Sequence, residues 1–396
     1  MKVVYNSFDG RYSDSPRVLY ETYADAYPGQ HVWLADPDHL HGFPAGTVTV
    51  PIDSPAAVEA LESADLVVSN THLEMEWTKA PGTTYLQTWH GTPLKRIHND
   101  VLWAPEGRLA WLDRDVARWD HLVSPNLVST PRLRAAFGYV GNVLETGYPR
   151  NDVLTSPEAP QIRARVREAL GIPDGVTAVL YTPTWRDRDY FELSAGGLHL
   201  ALPLAEFSTA LGPDFCLLPR LHYKVTHLRG DPDVSGVVDV SYHPDVAELY
   251  LAADVLVTDY SSTMFDFAVT GKPMIFYAYD LDAYRDSLRG FYFDLEPVAP
   301  GPVVTTPGEL LDALWTLDEG HAAHRAAYRT FRETFSALED GHATDRLRPV
   351  YEQAARRASG REPEPVRRRR RRTGQDGLVV PRSTRTSASK RPAITR

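Results

Sequence analysis

Short apolar runs recur along the first 150 residues at 2–5, 32–35, 47–50, 66–69, 85–89, 121–124 and 143–146. Helix-period segments separate several of them. Ser15 as N-cap with Pro16 in the first turn starts one, whose Leu19, Tyr20, Tyr23 and Tyr27 keep a single face apolar. Residues 55–62 and 131–137 give two more. A break, Thr-Ser-Pro-Glu-Ala-Pro at 155–160, precedes a second series. There a helix over 161–170 stops at Gly171, and strands are predicted at 177–181, 215–218, 236–240, 255–258 and 274–277. Helices over 203–211, 244–252 and 262–269 fall between them, and 307–355 reads as closing helices. Strand alternating with helix predicts parallel α/β sheets, here two Rossmann-like, doubly wound domains (1–152 and 161–345) facing a cleft.

Charge divides the chain differently. Residues 356–396 carry 14 Lys+Arg against 3 Asp+Glu, a balance of +11, while the whole chain stands at −10 and residues 1–355 therefore at −21. An acidic body holds a phosphate only through cations placed locally. The tail, with Arg367, Arg372 and the four arginines between them, has too few large apolar side chains to repay ordering and is expected to be disordered. A single cysteine, Cys216, excludes a disulfide framework and fits a reducing compartment. No apolar run approaches the roughly 18 to 20 residues of a membrane span, and the N-terminus turns polar too early for a signal peptide. A cytoplasmic protein is expected.

The stretch Asp259-Tyr260-Ser261-Ser262-Thr263 joins a buried strand to a helix. Its amides and hydroxyls form a candidate phosphate site, although Thr263-x-x-Asp266 also fits a plain capping box. Other candidates follow predicted strands. His90 in His90-Gly91-Thr92-Pro93-Leu94-Lys95 is placed to take a proton, with Lys95 as a point charge; a histidine satisfied within its turn is the alternative. Arg220, His222 and Lys224 would share one face of an extended strand. Arg150, Arg186, Arg285 and Arg289 are further phosphate candidates, or solvated loop arginines. Asp-x-Asp triplets at 36–38, 187–189, 231–233 and 280–282 are short enough to arise by chance, and no metal site is assigned. No P-loop and no Gly-x-Ser-x-Gly elbow is present, which argues against a P-loop NTPase or an α/β-hydrolase.

Six motifs in order carry a resemblance: Gln87-Thr88-Trp89-His90-Gly91-Thr92-Pro93-Leu94-Lys95, Gly147-Tyr148-Pro149-Arg150-Asn151-Asp152, Tyr181-Thr182-Pro183-Thr184-Trp185-Arg186, Arg220-Leu221-His222, Thr258-Asp259-Tyr260-Ser261-Ser262, and Asp280-Leu281-Asp282-Ala283-Tyr284-Arg285 running on to Arg289 and Asp294. Together they resemble the CDP-glycerol glycerophosphotransferase family of teichoic-acid polymerases and primases, over roughly residues 3–345. The resemblance implies a GT-B fold, CDP-glycerol as donor, no cofactor and no required metal. It implies transfer to a hydroxyl of a lipid-linked acceptor at the inner membrane face, with release of CMP. It marks His90 and His222 as catalytic, with Ser261, Ser262, Thr263, Asp259, Arg220 and Arg186 around the donor. Lys95, Arg150, Arg285 and Arg289 are left for acceptor or phosphate. The same fold using CDP-ribitol or a nucleotide sugar is the nearest alternative; a non-catalytic protein working through its tail is more distant.

The basic tail suits an anionic membrane surface, at roughly 1 kcal/mol per cation; nucleic acid is not the expected partner. Full-length protein should therefore co-sediment with anionic liposomes more strongly than a 1–355 truncation. Equal binding by the two would remove the membrane role.

Overall fold

The computed structural model describes residues 1–184, 201–221, 234–285 and 290–360. Two all-parallel sheets organise them. The first runs in the order β3-β2-β1-β4-β5-β6-β7, from β1 (Lys2–Asn6), β2 (Gln30–Ala35), β3 (Thr49–Pro51), β4 (Leu66–Ser69), β5 (Thr84–Gln87), β6 (His121–Ser124) and β7 (Asn142–Glu145). The second runs β12-β11-β10-β8-β9, from β8 (Thr177–Thr182), β9 (Phe215–Pro219), β10 (Val255–Thr258), β11 (Met274–Tyr277) and β12 (Val303–Val304). Strand order reverses between β1 and β4 in one and between β8 and β10 in the other, and loops at those reversals are where such sheets bind ligands.

The central strands are apolar without alternation because both faces are covered. In β10, Val255 and Val257 enter one core while Leu256 enters the other. In the first sheet Val4 and Val67 face one helix layer, and Val3, Tyr5 and Val68 face the other. That second layer is completed from the far end of the chain. Helix Ala343–Ala358 brings Leu347, Val350, Tyr351 and Ala354 onto the first sheet. The backbone thus leaves the first sheet after β7 and returns at its end. Among the described residues no helix is long and apolar enough to cross a membrane.

Several local expectations change. The strand expected at 236–240 is only a single bridge, Leu217 to Val237. The first helix begins at Asp14 with Ser13 as its N-cap, two residues ahead of the Ser15 reading. The expected 262–269 helix is a short α segment, Thr263–Phe267, closing in a 3₁₀ turn, Ala268–Thr270. Its capping box does not form, because Asp266 turns away from the helix start and binds Arg150 and Asn151.

That contact ties the two sheets together. Arg150 sits on the 3₁₀ segment Pro149–Thr155, with 4 % of its side chain exposed. One arm of its fork reaches Asp14 at 3.0 Å, at the mouth of the first sheet. The other reaches Asp266 at 2.8 Å, on the helix leaving β10. The guanidinium also lies 4.3 Å from the Tyr148 ring centroid. Burial alone would lower its pKa, but the two carboxylates outweigh that and hold it well above the usual value. Nearby, burial followed by the charge of Asp266 pushes Glu339 up to about 8, so this carboxyl keeps its proton near neutral pH.

Arg150→Ala leaves two buried carboxylates without a counter-charge. We expect a loss of about 3–5 kcal/mol in denaturant unfolding at neutral pH. A loss below about 1 kcal/mol would show that the brace does not hold the halves together.

Candidate functional site

A cavity of about 470 Å³ opens between the carboxyl ends of the two sheets, within the size range of small-molecule sites. Its first wall is the loop after β5. Trp89 adopts φ +54°, a left-handed conformation costly for a bulky residue, and its N–H is held by Gln87 Oε1 at 2.9 Å. The turn delivers His90 into the cavity, against the rings of Trp89 (4.2 Å) and Phe8 (5.4 Å). The Asn70 carbonyl, just past β4, lies 2.5 Å from His90 Nδ1. A carbonyl only accepts, so Nδ1 carries the proton and Nε2 keeps its lone pair. Burial lowers the pKa of His90 to about 4, against the opposing effect of the Asn70 bond. The imidazole is neutral at physiological pH.

Gly91 explains how this loop meets the opposite wall. A Cβ at position 91 would stand 2.7 Å from Ser262 Oγ and 2.9 Å from its Cβ. Only a residue without a side chain allows the His90 loop to touch the helix start across the cleft. Tyr148 Oη accepts the Gly91 N–H at 3.1 Å, linking that loop to the Arg150 segment.

The second wall carries Ser261, Ser262 and Thr263, all lining the cavity. Ser262 is the N-cap in helical conformation and makes no side-chain capping bond. The helix behind it is five residues long, so the donors here are hydroxyls and first-turn amides more than a long dipole. Thr263 Oγ1 lies 2.9 Å from Thr182 Oγ1, which bonds Thr258 Oγ1 at 3.0 Å, fixing the ends of β8 and β10. Asp259 lies beneath this surface. Its carboxylate accepts the N–H of Thr184 at 2.8 Å and of Tyr260 at 2.5 Å, clamping two loops and not itself lining the cavity.

The cations divide. Arg220 and Lys95 line the cavity. Arg220 Nη1 is oriented by the carbonyls of Val240 (2.9 Å) and His243 (2.8 Å), and no carboxylate among the described residues pairs with it. Arg150 reaches the cavity wall, but its fork grips Asp14 and Asp266 where the sequence suggested a phosphate. Arg285 does not line the cavity; it bonds Asp282 at 2.8 Å, a pairing that sequence spacing could have suggested. His222, Arg186 and Arg289 lie outside the described residues, as do the triplets at 187–189 and 231–233. Among the described residues no three His, Cys, Asp or Glu side chains converge as a metal site. Sequence reasoning missed Asn70, which orients His90, and the cavity residues Arg11, His39, His41 and His243. None of these stands in a motif; each follows from which loops the topology brings together.

Comparison with known proteins bears on this site. A family model described as CDP-Glycerol:Poly(glycerophosphate) glycerophosphotransferase matches residues 1–351. The teichoic acid glycerol-phosphate transferase of Staphylococcus aureus is 38% identical over 356 residues, covering 87% of this chain and 91% of that protein. The teichoic acid poly(glycerol phosphate) polymerase of Bacillus spizizenii is 35% identical, covering 87% and 90%. The structure of the wall teichoic acid polymerase TagF, as a point variant soaked with CDPG, superposes with a TM-score of 0.82 at 34% identity, covering 90% of each chain. That match identifies the two-sheet architecture as GT-B-like.

Proposed function

The chain belongs to the CDP-glycerol:poly(glycerophosphate) glycerophosphotransferase family, and we propose that it runs that reaction in the cavity between its two sheets. The enzyme transfers glycerol phosphate from CDP-glycerol to a teichoic acid polymer. An acceptor hydroxyl attacks the glycerol-bearing phosphorus, the P–O bond to the other phosphate breaks, and CMP leaves. Catalysis of this kind is mostly alignment plus stabilisation of charge on the transferring group.

His90 is the proposed base. The observation that carries this role is its Nδ1–H bond to the Asn70 carbonyl, which leaves Nε2 unprotonated in the cavity. The hydroxyl proton passes to Nε2 as the new P–O bond forms. Ser261, Ser262 and Thr263, with Arg220 beside them, are the proposed hold on the donor's diphosphate, supported by their shared wall opposite His90. His222 and Arg186 keep the donor-side roles implied by their motifs, and Arg289 keeps its phosphate role. Lys95 is assigned to phosphate near the acceptor. No metal is assigned: the cations and hydroxyl donors that line the cavity are proposed to stabilise the transferring group, and turnover should survive EDTA.

Glycerol is favoured over ribitol as the donor's polyol. The ribitol-phosphate polymerase TarK of Staphylococcus aureus is 31% identical over only 52% of this chain, against 38% over 87% for the glycerol-phosphate transferase. The acceptor is proposed to be lipid-linked and met at the inner membrane face, with the tail's arginines adding attraction to anionic lipid.

His90→Ala should lower CMP release about 10²–10⁴-fold while CDP still binds. The sign of the pH effect follows from the lowered pKa. Protonation of His90 removes the base only as pH falls toward about 4, not near the ordinary 6.5. The acid limb attributable to His90 therefore lies near 4 and disappears in the variant. Turnover within a few-fold of the parent in His90→Ala would transfer the base role elsewhere.

A further inference from the structure

Basic side chains line the cavity on both of its walls. Among the described residues three carboxylates line it, and each is paired: Asp14 and Asp266 with Arg150, and Asp245 with Arg17 at 3.2 Å. Among the described residues the other ionisable lining groups, tyrosines aside, are arginine, lysine or histidine. They fall on two walls. Arg220 and His243 belong to loops of the second sheet, as do Ser261–Thr263. Arg11, His39 and His41 belong to loops of the first sheet, on the His90 side.

Those three side chains are brought together by construction. Arg11 sits in the loop between β1 and the helix Asp14–Tyr23, and the histidines sit on the 3₁₀ turn Pro37–Gly42. Gly10 adopts φ +104°, and a Cβ there would stand 2.2 Å from the Asp36 nitrogen. The Gly10 carbonyl accepts that same Asp36 N–H at 2.9 Å. Two residues on, the Tyr12 ring packs 5.4 Å from Phe43, just past the turn. Arg11 is thus flanked on both sides by residues pinned to the 36–43 segment. The His39 and His41 rings lie 6.4 Å apart. Burial lowers the pKa of His39, and the charge of Arg11 lowers it further, which is consistent with their proximity.

The loop is held in an uncommon shape. Phe8 (φ +42°), Asp9 (+58°) and Asp14 (+60°) all occupy the left-handed region without being glycine. Such conformations persist where surrounding contacts impose them and cluster at binding sites. The same loop touches the proposed base, through the Phe8 ring against His90.

We propose that Arg11, His39 and His41 form the acceptor subsite, binding the anionic phosphodiester next to the attacking hydroxyl. The inference rests on the transfer reaction described above and adds the part of the acceptor that the site reads. A polymer ending in glycerol phosphate carries an anion about one glycerol away from its terminal hydroxyl. The proposal puts that anion at the loop of Phe8 and Arg11, because Phe8 of that loop packs 5.4 Å from the His90 ring where the hydroxyl would be activated. A guanidinium suits a phosphodiester because its fork can give two parallel N–H bonds. The subsite would therefore favour acceptors already carrying glycerol phosphate over neutral ones.

The test uses full-length protein and sn-glycerol 3-phosphate as a soluble probe of the subsite. In the parent it should inhibit transfer competitively with a glycerol-phosphate-terminated acceptor. Arg11→Ala, and the double variant His39→Ala with His41→Ala, should raise both its inhibition constant and the acceptor KM by about tenfold or more. CDP affinity should remain within about twofold of the parent, and Arg11→Lys should recover part of the loss. Unchanged inhibition and acceptor KM overturn the subsite. So does a parallel loss of CDP affinity, which would mean general damage to the cleft. A parent protein that neither binds CDP nor turns over CDP-glycerol overturns the underlying reaction and the subsite with it.

Discussion

Arg150 spans two carboxylates that belong to different sheets, Asp14 and Asp266, and the geometry of the cleft depends on that bridge. A charge this deeply buried is tolerated only with close opposite charges and satisfied donors. Here both arms are used, and Asn151 supplies a further bond to Asp266 at 2.9 Å. The bridge sets the separation between the loop that begins at Ser7 and the helix start at Thr263. Gly91 against Ser262 then becomes possible, and the histidine loop and the hydroxyl wall meet across one cavity.

Within that frame, local backbone choices aim the chemistry. Trp89 accepts a left-handed conformation, and the next residue reaches the cavity with one nitrogen bound to Asn70. Packing by Trp89 and Phe8 keeps the imidazole neutral, the form able to accept a proton. On the opposite wall, threonines at the ends of β8 and β10 bond one another and hold Thr263 in place. A neutral acceptor of protons thus faces hydroxyl donors and a cation, the arrangement that phosphoryl transfer asks of a protein.

Much of this architecture was legible because buried parallel strands are apolar on both faces and stand out as continuous runs. The two series on either side of 155–160 correspond to the two sheets. What failed was decided by distant partners. Thr263-x-x-Asp266 has capping-box spacing, yet Asp266 gains more from Arg150, more than a hundred residues away in sequence. Arg150 was expected to hold a phosphate, because nothing local announces Asp14 as its partner. Residues 236–240 are apolar enough for a strand but make only one bridge, and the two-residue β12 is too short to leave a pattern. His90 was visible through its motif. His39 and His41 were not, since only the packing of Gly10 on Asp36 brings them to the cleft.

The function proposed for this cavity is to pass glycerol phosphate from CDP-glycerol to a polymer hydroxyl. The most direct measurement is CMP release by the purified protein with a membrane-fraction acceptor, comparing CDP-glycerol with CDP-ribitol in parallel. Acceptor-dependent release from CDP-glycerol is expected, with CDP-ribitol the poorer donor. Release from CDP-ribitol alone, or none from CDP-glycerol although CDP binds and acceptor is present, would contradict it.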